Sequence, residues 1–365
     1  MKAYVLEGID RLIYKDIPTP QLRENEVLVE VINAGICGSD IPRIFQTGTY
    51  HFPTIPGHEF AGIVRQAGAK EHDSLVGRRV GVFPLIPCMK CEQCRKKAYE
   101  MCQAYNYLGS RTDGGFAEYV AVPVWNLIEL PDDVSLEEAA MLEPACVALH
   151  AIRQADMTNV TSAAVYGCGT IGTLVLQWLA AMGVRDLYAV GTRKEQQELL
   201  SGVANCTFCN CREEEPVDLI EQQTDGAGVD IVFECVGIRD SVNNAVVSAR
   251  AGGQIVFVGN PAGDIELEKQ IYWKILRRQL TIYGTWNSSF TGEEDDDWHT
   301  AVKAIQNGTI RPSAQITHRF SFDELPGGLA VMRDKGIFSN KVMVERMMRH
   351  VARGQMPENV RRAGT

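Results

Sequence analysis

The sequence predicts an α/β protein in two parts: a β-rich, irregular part over residues 1 to about 150, and from about 160 a parallel sheet with crossover helices. Two contrasting textures predict this. Upstream, short strand-like runs ("EVLVEVI", "AGIVRQAG", "GRRVGVFPL", "AEYVAV") are separated by Gly and Pro, and helix signals are sparse. Downstream, apolar runs alternate with helical patterns: "SAAVYG" then "TIGTLVLQWLAAMG", "DLYAVG" then "KEQQELLSG", followed by "VDIVFECVG" and "GGQIVFVG". Such alternation sets parallel strands side by side with helices returning over the sheet. A chain of 365 residues that is 45% hydrophobic is also long enough to need two cores.

Charge and cysteine usage exclude several function classes. A formal charge of -10 repels nucleic acid over most of the surface, because phosphate neutralisation needs clustered Lys and Arg. The N-terminus "MKAYVLEGIDRLIYKD" has no apolar signal-peptide core, and no run of roughly 18 apolar residues offers a membrane span, so a cytoplasmic protein is expected. Eleven cysteines, an odd number, then read as thiols and metal ligands rather than a disulfide framework. The segment 346–365 is basic and weakly patterned, and is expected to be a frayed helix or a solvated end.

In the second part, "VYGCGTIG" sets Gly167, Gly169 and Gly172 in G-x-G-x-x-G register after an apolar strand and at the start of a helix. Residues without Cβ let the turn form and the backbone approach a pyrophosphate, whose charge sits on the helix N-terminus. A bare glycine pattern can be a tight turn; the strand, helix and repeated βα units around this one point to a Rossmann dinucleotide site. About twenty residues on, where a carboxylate would accept the ribose hydroxyls of NAD, the chain has Gly191-Thr192-Arg193-Lys194. A small residue and cations suit a 2'-phosphate, so NADP is expected over NAD; the alternative is a solvated first helical turn.

Two metal sites are expected in the first part. "CMKCEQCRKKAYEMC" places Cys88, Cys91, Cys94 and Cys102 where four thiolates can converge tetrahedrally on Zn²⁺, a closed and therefore structural site that orders a lobe poor in apolar residues. Chemistry needs an open metal with mixed ligands, and Cys37, His58, and Glu59 or Glu143 supply candidates in "AGICGSD", "IPGHEFAG" and "LEPACVALH". Three protein ligands plus water make a zinc that polarises an alcohol oxygen. Taken singly, His58 is equally a turn histidine, Cys37 a core residue and Glu143 a helix N-terminal charge.

These residues, with "DGGFAEYV", "FECVG" and "GGQIVFVG", resemble the zinc-dependent medium-chain alcohol and polyol dehydrogenases over residues 1 to about 345. The resemblance implies a GroES-like catalytic domain discontinuous in sequence (1–153 and 290–345, with a structural zinc lobe at 86–104) around a Rossmann domain (154–289), and an active site in the cleft between them. It implies two zinc ions per chain: Cys37, His58 and Glu143 on the catalytic ion with Glu59 able to exchange onto it, and the four lobe cysteines on the other. Cofactor contacts are implied at Gly167, Gly169, Ile171, Gly172, Thr192, Arg193, Val258 and Gly259, and a homodimer or homotetramer as the assembly.

"CGSDIPRIF", "PLIPCMKC", "YLGSRTDGGFAEY" and "WKILRRQLTIYGTWN" are most similar to the polyol-phosphate branch, which implies oxidation of a phosphorylated alditol, specifically galactitol 1-phosphate to tagatose 6-phosphate. Two departures stand out. Many relatives carry a proton-relay His just after "CGSD", whereas here Ile41-Pro42-Arg43 intervenes, leaving Ser39 to pass its proton to the ribose or to water. Arg43 is then a candidate fork for the substrate phosphate, or a surface salt bridge. Gly191-Thr192-Arg193 is also unlike NAD-using relatives. Alternatives are a dehydrogenase of a free polyol such as sorbitol, in which Arg43 and Arg111 serve structure, one acting on threonine, and a non-catalytic redox-sensing protein.

Overall fold

A computed structural model of the chain describes residues 1–346. Two sheets organise them. The first has the order Ile316–Ser321, Lys341–Glu345, Glu26–Ile36, Glu59–Ala67, Arg79–Val82, Leu127–Glu129, with Tyr119–Pro123 also paired to Glu26–Ile36. Its pairings are antiparallel apart from Ile316–Ser321 with Lys341–Glu345. Glu26–Ile36 is its centre, and its near-continuous apolar run follows from burial on both faces.

The second sheet has six parallel strands in the order Thr207–Asn210, Asp186–Gly191, Ser162–Tyr166, Val229–Glu234, Ala249–Phe257, Thr281–Gly284. The order in which successive strands are added reverses between Ser162–Tyr166 and Val229–Glu234. Such a switch point opens a crevice at the carboxyl ends of the strands, where ligands of parallel sheets bind. After Thr281–Gly284 the chain returns to the first sheet, where Lys341–Glu345 pairs antiparallel with Asn33 to Ile36.

Helix Leu142–Arg153, almost wholly buried, joins the two. Trp178 of helix Thr170–Ala181 donates its indole N–H to the Ala145 carbonyl at 3.0 Å, and Arg153 bonds Asp297 of helix Asp297–Gln306 at 2.8 Å. A single core therefore runs from Phe83 beside the first sheet through Leu149 to Val165 and Phe233 in the second.

The four-cysteine loop is closed at its base by the short pairing of Leu85–Ile86 with Asn106–Tyr107. It rests on an aromatic cluster in which Trp125 meets Tyr99, Phe83 and Phe290 edge-on, and Lys97 pairs with Glu293 across the contact. All eleven cysteines are free thiols. Arg346, expected to open a solvated tail, instead donates its amide to Ile32 and sets its guanidinium between Glu30 and Glu118, so two carboxylates anchor it to the sheet. The rest of that expected tail, 347–365, lies outside the described residues. Among the described residues no helix is long and apolar enough to cross a membrane.

Candidate active site and metal centres

The strand Glu26–Ile36 ends just before Cys37, and the turn that follows is tied back by the Asp40 carboxylate, which accepts the Cys37 amide at 3.0 Å and the Arg43 guanidinium at 3.2 Å. Asp40 is fully buried. Burial alone would raise its pKa, but the His58 charge, Arg43 and the Cys37 amide hold it below the ordinary value. The neighbouring strand Glu59–Ala67 begins just after His58, so pairing of these two strands brings Cys37, His58 and Glu59 together. One donor atom from each lies within 4.8 Å of the others, close enough to hold one metal ion.

The surroundings fit a cation. His58 Nδ1 is buried without a hydrogen-bond partner and faces Asp40 Oδ1 at 3.5 Å, the arrangement of a carboxylate behind a ligating imidazole. Burial opposes a charge on His58, yet Asp40 and Cys37 outweigh it and push its pKa well up. The negative charge of Asp40 and Cys37 beside His58 also suits a cation held among these side chains. Ser39 Oγ sits 3.3 Å from Cys37 Sγ.

Glu143 stands outside the three-residue group. Its carboxylate accepts the Tyr107 hydroxyl at 3.2 Å, and burial, with Glu59 nearby, pushes its pKa up to about 7. Tyr107 also places its ring 5.8 Å from that of His58. Glu59, fully buried, pairs with Lys341, whose ammonium also donates to the Ile36 carbonyl at 3.3 Å. Burial would strip the Lys341 charge, but Glu59 and Cys37 keep its pKa raised. Asp40, Tyr107 and Lys341 were missed as functional residues; "CGSD" carried a signal for the first, while the other two reach the site only through tertiary contact.

The four-cysteine loop forms a second cluster. Sγ separations are 3.4 Å for Cys91–Cys94 and 3.9 Å for both Cys88–Cys94 and Cys91–Cys102. A disulfide is about 2.05 Å long. Four sulfurs at a Zn–S distance of about 2.3 Å stand about 3.8 Å apart at the corners of a tetrahedron. The spacing fits one ion with no vacant position. Hydrogen bonds from the backbone lower the Cys91 thiol to about 6, whereas burial lifts Cys94 to about 12.

At the switch point of the second sheet lies a cleft of about 790 Å³ lined by Gly167, Cys168, Gly169 and Thr192 among others. The three glycines differ in what they permit. Gly167 has φ +96° and would set a Cβ 2.7 Å from Val236; Gly169 faces open space; a Cβ on Gly172 would collide with the Gly167 carbonyl. Turn, open approach and close helix packing are the three needs of a pyrophosphate loop. Helix Thr170–Ala181 starts beside it.

Other expected cofactor residues are placed differently. Ile171, Arg193, Val258 and Gly259 are not among the lining residues, and the Val258 and Gly259 amides both donate to the Glu234 carbonyl at 2.8 Å. The space expected beside Gly191 is filled by the Gln196 carboxamide and the Phe208 ring. Gln196 Oε1 accepts the Thr192 and Arg193 amides, and its Nε2 donates to Cys168. The Arg193 guanidinium bonds the carbonyls of Lys335 and Gly336, and Glu215, Asp240 and Glu268 supply the carboxylates on the cleft wall.

Cleft and cluster meet at two consecutive residues. Asn340 donates to Cys168 of the glycine loop at 3.1 Å and accepts the Thr170 hydroxyl at 2.8 Å; Lys341 pairs with Glu59.

Comparison with known proteins agrees with this geometry. Residues 23–132 match the alcohol dehydrogenase GroES-like domain, and residues 170–307 the zinc-binding dehydrogenase family. Galactitol 1-phosphate 5-dehydrogenase of Escherichia coli K12 is 33% identical over 325 residues, 88% of this chain and 94% of that protein. A crystal structure of galactitol-1-phosphate dehydrogenase from E. coli superposes with a TM-score of 0.86 over 94% of this chain and all of that one. An NADP-bound protein from Sinorhizobium meliloti 1021, described as a zinc-binding dehydrogenase, is 28% identical with the same TM-score over 94% of this chain and 98% of its own. Sorbitol dehydrogenase of Bacillus subtilis is 27% identical over 329 residues, 89% of this chain and 91% of that protein.

Proposed function

The chain belongs to the zinc-binding alcohol dehydrogenase family, and on that premise we propose that it oxidises a secondary alcohol of a phosphorylated alditol to a ketose phosphate, with hydride passing to a nicotinamide dinucleotide. The specific reaction is galactitol 1-phosphate to tagatose 6-phosphate. One observation supports the reading: Asn340 bonds the glycine loop while Lys341 bonds Glu59, so the expected dinucleotide loop and the Cys/His/Glu cluster are tied to one short segment.

Cys37, His58 and Glu143, with Glu59 exchanging, would hold a zinc ion that supplies Lewis acidity toward the alcohol oxygen. Asp40 orients His58 and braces the Cys37 turn. Ser39 carries off the alcohol proton, toward ribose or water. Cys88, Cys91, Cys94 and Cys102 hold the second, structural zinc. Gly167, Gly169 and Gly172 receive the pyrophosphate. The preference for NADP is supported by the missing carboxylate at Gly191-Thr192-Arg193; Arg193 meets a 2'-phosphate only after leaving the carbonyls of Lys335 and Gly336.

The catalytic part is taken as 1–153 with 290–345 and the nucleotide part as 154–289, supported by the return of Ile316–Ser321 and Lys341–Glu345 to the first sheet. A homodimer or homotetramer is supported by exposed Tyr272, Trp273, Leu276 and Ile282 near the edge strand Thr281–Gly284. The eleven free thiols support a cytoplasmic location. A second reading, oxidation of a free polyol such as sorbitol, is favoured by Arg43, which reaches a substrate phosphate only by leaving Asp40.

The test crosses NAD and NADP against galactitol 1-phosphate, galactitol, sorbitol and threonine with zinc-loaded protein, following reduced nicotinamide. Turnover confined to the phosphorylated alditol is expected, with NADP the better cofactor. Equal turnover of galactitol and its phosphate would sink the phosphate reading, and better turnover with NAD the cofactor preference.

A further inference from the structure

Resting on the polyol-phosphate reading, we infer that Arg111, rather than Arg43, takes the phosphate monoester of the substrate. Arg111 leaves a turn secured to a site residue. The amides of Ser110, Arg111 and Thr112 all donate to the Tyr107 carbonyl, at 3.3, 2.9 and 3.1 Å, and His51 Nε2 meets the Arg111 carbonyl at 3.0 Å. Tyr107 in turn bonds Glu143 and faces the His58 ring. The backbone of Arg111 is thereby fixed relative to the Cys37, His58 and Glu59 cluster.

The guanidinium is held flat, with one hydrogen bond to the protein among the described residues. Its carbon lies 4.1 Å from the centre of the Tyr50 ring and 4.3 Å from that of Tyr105, and the Tyr105 ring abuts Tyr107 at 6.3 Å between centres. One N–H goes to the Tyr105 carbonyl at 3.3 Å, while Nε is buried with no partner. Among the described residues Arg111 makes no ion pair, in contrast to Arg43, which is bonded to Asp40. Two aromatic faces desolvate the cation and hold its plane, and the planar fork matches phosphate oxygens two at a time.

Arg43 is the poorer choice for a reason of charge. Drawing it from Asp40 would strand part of a fully buried carboxylate that also holds the Cys37 amide and faces His58. Distance along the substrate points the same way. The reacting C5 and the phosphate on C1 lie near opposite ends of the alditol chain, so the phosphate cation belongs apart from the metal cluster rather than bonded among the residues that brace it. Arg43 bonds the carboxylate that holds the Cys37 amide, whereas Arg111 is joined to the site through Tyr105 and Tyr107.

The test uses zinc-loaded full-length protein, Arg111→Gln, Arg111→Lys and Arg43→Ala, with galactitol 1-phosphate and galactitol as substrates and inorganic phosphate as inhibitor. For Arg111→Gln the ratio of kcat/KM on the phosphorylated over the free alditol is expected to fall about 100-fold, mostly through KM, as for loss of a desolvated charged contact. Inhibition by inorganic phosphate weakens in parallel, and Arg111→Lys recovers part of both. Arg43→Ala is expected to depress both substrates alike and to lower zinc content. The inference is overturned if the ratio and phosphate inhibition survive in Arg111→Gln, or if Arg43→Ala alone abolishes them. Should Arg111→Gln fail to fold, Arg111→Lys decides, since an unchanged ratio and inhibition there, with the ratio lost in Arg43→Ala, overturns it equally. A wild-type protein with no preference for the phosphorylated alditol fails the parent reading before any variant is made.

Discussion

The two cysteine-bearing clusters make opposite use of the chain. The lobe collects four like donors from fifteen consecutive residues, Cys88 to Cys102, and relies on their sulfurs alone. The other draws Cys37, His58 and Glu59 from the adjoining ends of two paired strands and surrounds them with Asp40, Tyr107, Glu143 and Lys341. A closed thiolate site satisfies its ion locally and can be written as a spacing. An open site must leave a position vacant, and the charge the ion leaves uncompensated has to be managed by side chains from elsewhere in the fold.

The largest effect should come from breaking the closed cluster. In small metal-ordered modules the ion contributes on the order of 10 kcal/mol. Cys94→Ser is therefore expected to lose one of two zinc ions, expose the lobe to trypsin at Arg95 to Lys97, and lower the melting temperature by more than about 10 °C; an unchanged melting curve would mean the lobe is held by its aromatic base instead. His58→Ala should do the converse. Activity is expected to fall about 1000-fold, corresponding to about 4 kcal/mol of lost polarisation, while the melting temperature stays nearly constant and one zinc remains. Metal analysis with calorimetry on the same sample checks both.

Lys341→Met sharpens the contrast further. It leaves Glu59 buried without its cation, a loss of about 3 kcal/mol in metal-free protein by denaturant titration. Zinc loading should shrink that penalty, because the ion replaces the ammonium as counter-charge. A penalty indifferent to zinc would separate Lys341 from the cluster. Smallest of all, Lys97→Ala removes an exposed pair with Glu293 at the lobe contact and should leave the melting curve and zinc content close to those of the parent protein.

The same contrast explains what could be read from sequence. The parallel sheet was legible because its strands are buried on both faces and read as apolar runs such as "SAAVY" and "VDIVFE". The glycine loop and the lobe were legible because their chemistry is local. Lys341 was not: it sits 282 residues from Glu59, in a strand whose apolar pattern gives no hint that its first residue is a buried cation. Arg43 and Gly191 were recognised as positions, but their partners, Asp40 in one case and Gln196 with Phe208 in the other, decide what they are free to do.

The junction at Asn340 and Lys341 carries a consequence for rebuilding this protein. Adjacent residues at a strand's start send side chains to opposite faces, so one short segment serves the glycine loop with one residue and Glu59 with the next. A chimera that exchanges only 154–289 for the same stretch of a relative would keep this segment from one parent and its loop partner from the other. Deleting a single residue from the turn before Asn340 would be worse: a strand that slips by one to close the gap would carry Lys341 into the place of Asn340 and set Val342 against Glu59. Graft boundaries should therefore be chosen so that the loop and these two residues travel together.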